Sequence, residues 1–182
     1  MDLKIRLQIG DSPLLRRLKA ISQVSGSAMA TQPWLENELL LAARDVASLH
    51  EATLGQIARV PAARAATREE LFKRLCRARE FMHASQDQPV HLDDISRAAC
   101  LSPYHLHRAF RQAFQETPHE FLSRIRVEAA RRMLLDTELP VTEICFRSGF
   151  ESLGSFSTLF RKRFGKSPRQ FRSAGLATNG GA

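Results

Sequence analysis

Apolar residues recur through most of this chain at intervals of three and four, the spacing of one buried face of an α-helix. In residues 106–114, LHRAFRQAF, they are Leu106, Ala109, Phe110, Ala113 and Phe114. Residues 156–164, FSTLFRKRF, put Phe156, Leu159, Phe160 and Phe164 at the same offsets. The flanking elements correspond as well. A short helix LDDISRAAC, a turn LSPY and a second helix lead into T-P-H-E and the long helix FLSRIRVEAARRMLLDT. After Leu139-Pro140 come TEICFRSG, a turn, LGSFSTLFRKRFG and S-P-R-Q. Ile95 matches Ile144, Leu101 matches Phe150, Phe110 matches Phe160, and Phe114 matches Phe164; Pro118 and Phe121 match Pro168 and Phe171. The offset changes from 49 to 50 after the turn, so one residue was inserted there. The chain therefore duplicates a whole helix-turn-helix unit.

The N-terminal part follows a different pattern. In DLKIRLQIGD, Leu3, Ile5, Leu7 and Ile9 alternate with polar residues, which predicts one strand over 3–9 in an otherwise all-α chain. Ser12-Pro13 reads as an N-cap followed by N1 proline. SGS at 25–27 separates that helix from PWLENELLLAARDVASLHEA, whose wide apolar face is either internal packing or a homodimer seam. Residues 55–66, GQIARVPAARAA, read as a linker broken by Pro61. T-R-E-E at Thr67 is a capping box with Glu70 at N3, ahead of Leu71, Leu75, Ala78 and Met82 on one face. These signals divide the chain into an N-terminal segment 1–66, a domain 67–174 and a disordered tail 175–182.

Charge narrows the partners. Lys and Arg number 27 against 19 Asp and Glu, a formal +8 in 182 residues. Such an excess favours phosphate-rich partners without proving one. Its distribution is more telling. Residues 153–172 hold six basic residues and no acid. On the helix 103–114, the stripe opposite the core is Tyr104, His107, Arg108 and Arg111, all able to donate or stack. The corresponding stripe of 153–164 is Gly154, Ser157, Thr158 and Arg161. The planar fork of arginine reaches guanine O6 and N7 together, so Arg108 is the leading base reader. The second helix has Thr158 at that place and is expected to rely more on phosphates and thymine methyls. Backbone N–H groups at the helix starts Ser102, Thr117 and Ser167 suit phosphate oxygens. The connecting helix, residues 118–135, would be about 27 Å long at 1.5 Å per residue. Successive major-groove faces on one side of B-DNA lie about 34 Å apart. The two outer stripes can thus meet one face of a duplex at a small mismatch, taken up by bending of the DNA or by shallower seating of one helix.

Other chemistries find little support. Cys76, Cys100 and Cys145 form no C-x-x-C pair and read as reduced, buried thiols. His105 and His107, two apart, do not share a helix face, so no metal is expected. His50, His83, His91 and His119 read as surface residues. No G-x-S-x-G or phosphate-cradling glycine loop frames a catalytic group, so neither an enzyme nor a cofactor is expected. No run suits a membrane span and no signal peptide opens the chain, which points to the cytoplasm.

Residues 68–173 resemble the DNA-binding domain of the AraC/XylS family of bacterial transcription regulators. GFESLGSFSTLFRKRFGKSPRQFR carries the family's most specific pattern, and LSPYHLHRAFRQAFQETPHEF its partner. The resemblance implies seven helices, two helix-turn-helix units, and promoter DNA and RNA polymerase as partners. By position, the family's base-facing places fall on Tyr104, His107 and Arg108, then on Leu153, Gly154, Ser155, Ser157 and Thr158. Phosphate contacts are expected from Ser102, Arg111, Thr117, Arg161, Lys162, Ser167 and Arg169. Cys100 stands where the family usually has a turn glycine, at a cost of roughly 1–2 kcal/mol if that turn is left-handed. About 66 residues occupy the place where family members commonly carry a β-barrel sensor domain. Two function classes follow: a sequence-specific transcription regulator, or an interaction protein that dimerises through its N-terminal helices with a longer regulator.

Overall fold

The computed structural model describes residues 12–24 and 31–179, the last five by backbone alone. All regular structure among the described residues is helical. The strand expected over 3–9 and the SGS break at 25–27 lie outside them. The chain forms two compact units, Met1–Cys76 and Arg77–Ala182.

In the first unit, α1 (Pro13–Val24) packs on α2 (Gln32–Ala58). Ser12 caps α1 as its sequence predicts, its Oγ accepting the Leu15 N–H at 3.3 Å. Arg17 then ties the pair together, donating to Asp45 at 3.0 Å and Glu38 at 3.2 Å. Helix α2 continues through Gly55 to Ala58, so the break is shorter than the 55–66 linker expected. Helix α3 (Ala65–Ala84) starts two residues before Thr67, which lies inside its first turn. The T-R-E-E box therefore does not cap it: Ala65 and Ala66, both strong helix formers, extend the helix backward. The contact boundary falls at Cys76, within this helix and ten residues past the predicted one.

The second unit contains the duplication. Helices α4 (Leu92–Ala99) and α5 (Pro103–Phe114) form the first pair, α7 (Val141–Arg147) and α8 (Leu153–Phe164) the second. Between them runs α6 (Pro118–Asp136), and α9 (Pro168–Asn179) closes the chain. Backbone helix through Asn179 replaces most of the tail expected from 175; Ala177 and Leu176 favour helix more than Gly175 opposes it. Helix α6 packs on α5, α7, α8 and α9, so both copies share it.

The duplicated phenylalanines take duplicated places. Phe110 meets Phe114 and Phe121 at ring distances of 4.6 and 5.7 Å; Phe160 meets Phe164 and Phe171 at 4.6 and 5.5 Å. Phe110 and Phe160 are fully buried. They are core side chains, as their spacing predicts. The second core gathers Val127, Ala130, Leu134, Ile144, Cys145 and Phe156 around Phe160.

Both turns reverse the chain through one left-handed residue. Cys100 has φ 52° and Gly149 has φ 81°. Each donates its N–H to the carbonyl three residues back, and the next residue donates to the one five back. Cys100 is exposed, contrary to the buried thiol expected: it sits in the turn between the two helices and not on a buried helix face. It carries the backbone cost of a side chain at positive φ. Gly149 has no such latitude: an added Cβ would stand 2.2 Å from the Gln86 carbonyl oxygen and 2.7 Å from Arg126 Nε.

Candidate nucleic-acid interface

Helices α5 and α8 each begin on a serine cap. Ser102 Oγ accepts the His105 N–H and Ser152 Oγ accepts the Ser155 N–H, both at 3.3 Å. With α5 oriented by Leu106, Ala109, Phe110 and Ala113 on its buried side, Tyr104, His107, Arg108 and Arg111 stand out on the other. These four line one open groove with Gln112 and Gln115. Tyr104 is 77% exposed, an unusual state for an aromatic side chain and one suited to stacking. The first predicted stripe is thus one continuous surface.

On α8, Phe156 and Phe160 are buried, while Leu153, Gly154, Thr158 and Arg161 are exposed and Ser157 half-exposed. Leu153 and Ser157 share a groove with Ser167 and Arg169. Ser155 departs from its expected role. Its hydroxyl donates to the Ser152 carbonyl at 3.1 Å and lies 2.7 Å from Ser152 Oγ, so it serves the cap. Ser152 itself was missed by sequence reasoning, although S-L-G-S after the turn has the spacing of a cap and N3 residue.

The basic cluster divides. Arg161, Lys162, Lys166 and Arg169 are exposed. Arg163 instead approaches Glu128 at 3.5 Å, and Arg172 donates to the Leu139 carbonyl at 2.7 Å, an intramolecular tether. Among the histidines, His83 is half-buried, edge-on to Phe121 at 5.4 Å. Burial, reinforced by Arg79, Arg124 and Arg132, holds its pKa below the usual value.

The helix starts that follow α5 and α8 repeat one another with a chemical change. Thr117 donates its N–H and hydroxyl to Glu120 Oε2 at 2.8 and 2.9 Å, and its Oγ1 accepts the Glu120 N–H at 3.2 Å. Ser167 makes the same three bonds with Gln170, at 3.0, 3.0 and 3.3 Å. Thr117 and Ser167 thus both commit their N–H inside the cap; at Thr117 the acceptor is a carboxylate whose charge also opposes the phosphate expected there, while at Ser167 it is a neutral amide. The bonds from Thr117 hold the Glu120 carboxyl below its ordinary pKa, with Arg111 and Lys162 adding to the effect. Glu116 beside it is already matched by Arg124, which donates to both carboxylate oxygens at 2.8 and 3.1 Å.

Residues 95–174 match the family model of a helix-turn-helix domain. The C-terminal domain of AraT, a response regulator from Geobacillus stearothermophilus, is 34% identical. The match covers 56% of this chain and 84% of that one with a TM-score of 0.53. The chain belongs to the AraC/XylS family. The DNA-binding domain of AdpA, solved in complex with a target DNA, superposes with a TM-score of 0.56 at 25% identity, over 59% of this chain and 97% of that one. Among curated relatives, the HTH-type transcriptional activator RhaS of Escherichia coli O139:H28 is 41% identical over 83 residues, 46% of this chain. Those residues make up 30% of RhaS, so the chain spans under a third of the curated relatives it matches. Helices α3 to α9 are the seven that the family resemblance implied. No helix among the described residues is long and apolar enough to cross a membrane.

Proposed function

We propose that this protein is a sequence-specific DNA-binding regulator of transcription that lays α5 and α8 into two adjacent major-groove segments of promoter DNA. The observation that carries this reading is the groove of Tyr104, His107, Arg108 and Arg111 on α5, repeated in altered form on α8. In this reading Arg108 reads guanine, with Tyr104 and His107 beside it. Leu153, Gly154, Ser157 and Thr158 face the second segment with short side chains, so that α8 gives small contacts and thymine methyl packing. Ser102, Arg111, Arg161, Lys162, Ser167 and Arg169 hold phosphates, which fix register without reading sequence. RNA polymerase is the machinery such a regulator would act on, in the cytoplasm. The test is selection from a random duplex pool at about 150 mM salt, close to physiological ionic strength. A two-part site with halves about 10–10.5 bp apart supports two reading helices; binding that selects no sequence sinks the proposal.

A second reading rests on α2. Leu39, Leu40, Val46 and Leu54 are 54%, 71%, 50% and 52% exposed, more apolar surface than a helix of an isolated unit usually shows. It is that the chain pairs through α2, with a second copy or with a longer regulator that it modulates. Leu40→Glu would then abolish function while Arg108→Ala would not; sedimentation of the two variants with and without DNA separates the readings.

A further inference from the structure

The corner after each recognition helix is written twice with opposite charge. Residues 115–120 read QETPHE and residues 165–170 read GKSPRQ. Lys166 takes the place of Glu116, Arg169 that of His119 and Gln170 that of Glu120. The first corner has two carboxylates and no Lys or Arg, formally −2; the second has two cations and no acid, formally +2. Backbone and capping are nevertheless the same. Gln115 and Gly165 both end their helices left-handed, and the Thr117–Glu120 and Ser167–Gln170 bonds match pair by pair.

Capping alone does not call for a carboxylate, since Gln170 makes the three bonds without one. Glu116 is neutralised by Arg124, but Glu120 is exposed and has no such clamp in its bonding, which is to an uncharged threonine. It shares a groove with Lys162 of α8. Its charge also acts on Arg111 of α5, so the Glu120 carboxylate, with Glu116 beside it held by Arg124, stands among cations of α5 and α8.

We infer that Glu120 is an affinity-setting residue, an anion built into the DNA-facing side that repels phosphate at the first corner while the neutral Gln170 leaves the second corner attractive. This rests on the DNA-binding reading above. Arg111 and Lys162 must exchange the field of Glu120 for that of phosphate when a duplex arrives, so each phosphate contact gains less than it would beside a neutral residue. Phosphate contacts at the first corner, and at Lys162 of α8 which faces it, are thereby weakened, while the corner of Lys166 and Arg169 keeps its full attraction.

The experiment uses the full chain and a random-sequence duplex over a salt series. Glu120→Gln keeps the cap geometry that Gln170 already displays. It is expected to tighten binding about three- to tenfold at low salt and to steepen the salt dependence. Gln170→Glu is expected to weaken binding by a similar factor. Glu51→Gln on α2 changes net charge equally and controls for it. Equal gains from Glu51→Gln and Glu120→Gln overturn the assignment, because net charge would then suffice. Unchanged affinity in Glu120→Gln, with a melting temperature equal to that of the parent, overturns it as well. No binding by the parent protein instead refutes the DNA-binding reading itself.

Discussion

The two helix-turn-helix units share a backbone and differ in almost everything the backbone does not require. Phe110 and Phe160, with their ring neighbours, hold the same places, and both turns bend through one left-handed residue. Outside that frame the copies diverge. Arg108 faces outward on one helix where Thr158 does on the other, and an acidic corner on one answers a basic corner on the other. Packing restricts what can change, because a lost ring leaves a cavity. Exposed positions carry no such penalty, so partner chemistry accumulates there.

That comparison breaks most sharply at the turns. Gly149→Ala is expected to cost about 2–5 kcal/mol, combining a left-handed alanine with a backbone collision. Chemical denaturation measures it, and a loss below 1 kcal/mol would show that the Gln86 segment yields. At the binding surface, Arg108→Ala should cost about 1–3 kcal/mol in affinity for a selected site, while Thr158→Ala costs under about 1. Equal losses, read by titration on one duplex, would erase the division between the units. Cys100→Gly should stabilise by about 1 kcal/mol, since glycine relieves the left-handed corner. A destabilised variant would mean that the exposed thiol side chain makes contacts worth more than the strain.

The smallest effect separates the two corner caps by pH. Glu120 has its folded pKa depressed, chiefly by the Thr117 N–H. Its contribution is therefore complete above the ordinary value of 4.5 and is lost as pH falls through the folded value. Gln170 has nothing to titrate. Amide exchange should show the start of α6 loosening in acid while the start of α9 keeps its protection; parallel loosening would assign the change to the whole unit.

Much of this molecule was legible because helix cores are periodic. The duplicated unit, the buried phenylalanines, the outer stripe of α5 and the Ser12 cap all follow from spacing. What escaped depended on which of several local partners a side chain chose. Ser155 bonds back to Ser152, and Thr117 gives its N–H to Glu120, although each sequence also suits an outward-facing donor. Helix ends slipped for a related reason. Alanines before Thr67 and residues around Gly55 carry no strong stop, so capping residues alone misplace the boundaries by several positions. Contacts across long separations leave no periodic trace at all: nothing in the spacing joins Arg126 to the carbonyls of Gln86 and Gln88, which it reaches at 2.7 and 2.6 Å.

That last contact changes what kind of duplication this is. Arg126 belongs to the shared helix, its two carbonyl partners belong to the stretch ahead of the first copy, and Gly149, which Arg126 and the Gln86 carbonyl crowd, belongs to the second. The halves are alike in ancestry yet no longer interchangeable parts. A fragment starting at Val141 would take the turn without the guanidinium and the Gln86 carbonyl packed against it, whereas a fragment ending before Val141 would keep Arg126 on the carbonyls of Gln86 and Gln88. The chain copied a module and then tied it in, so that the turn of the second copy rests on residues that lie outside it.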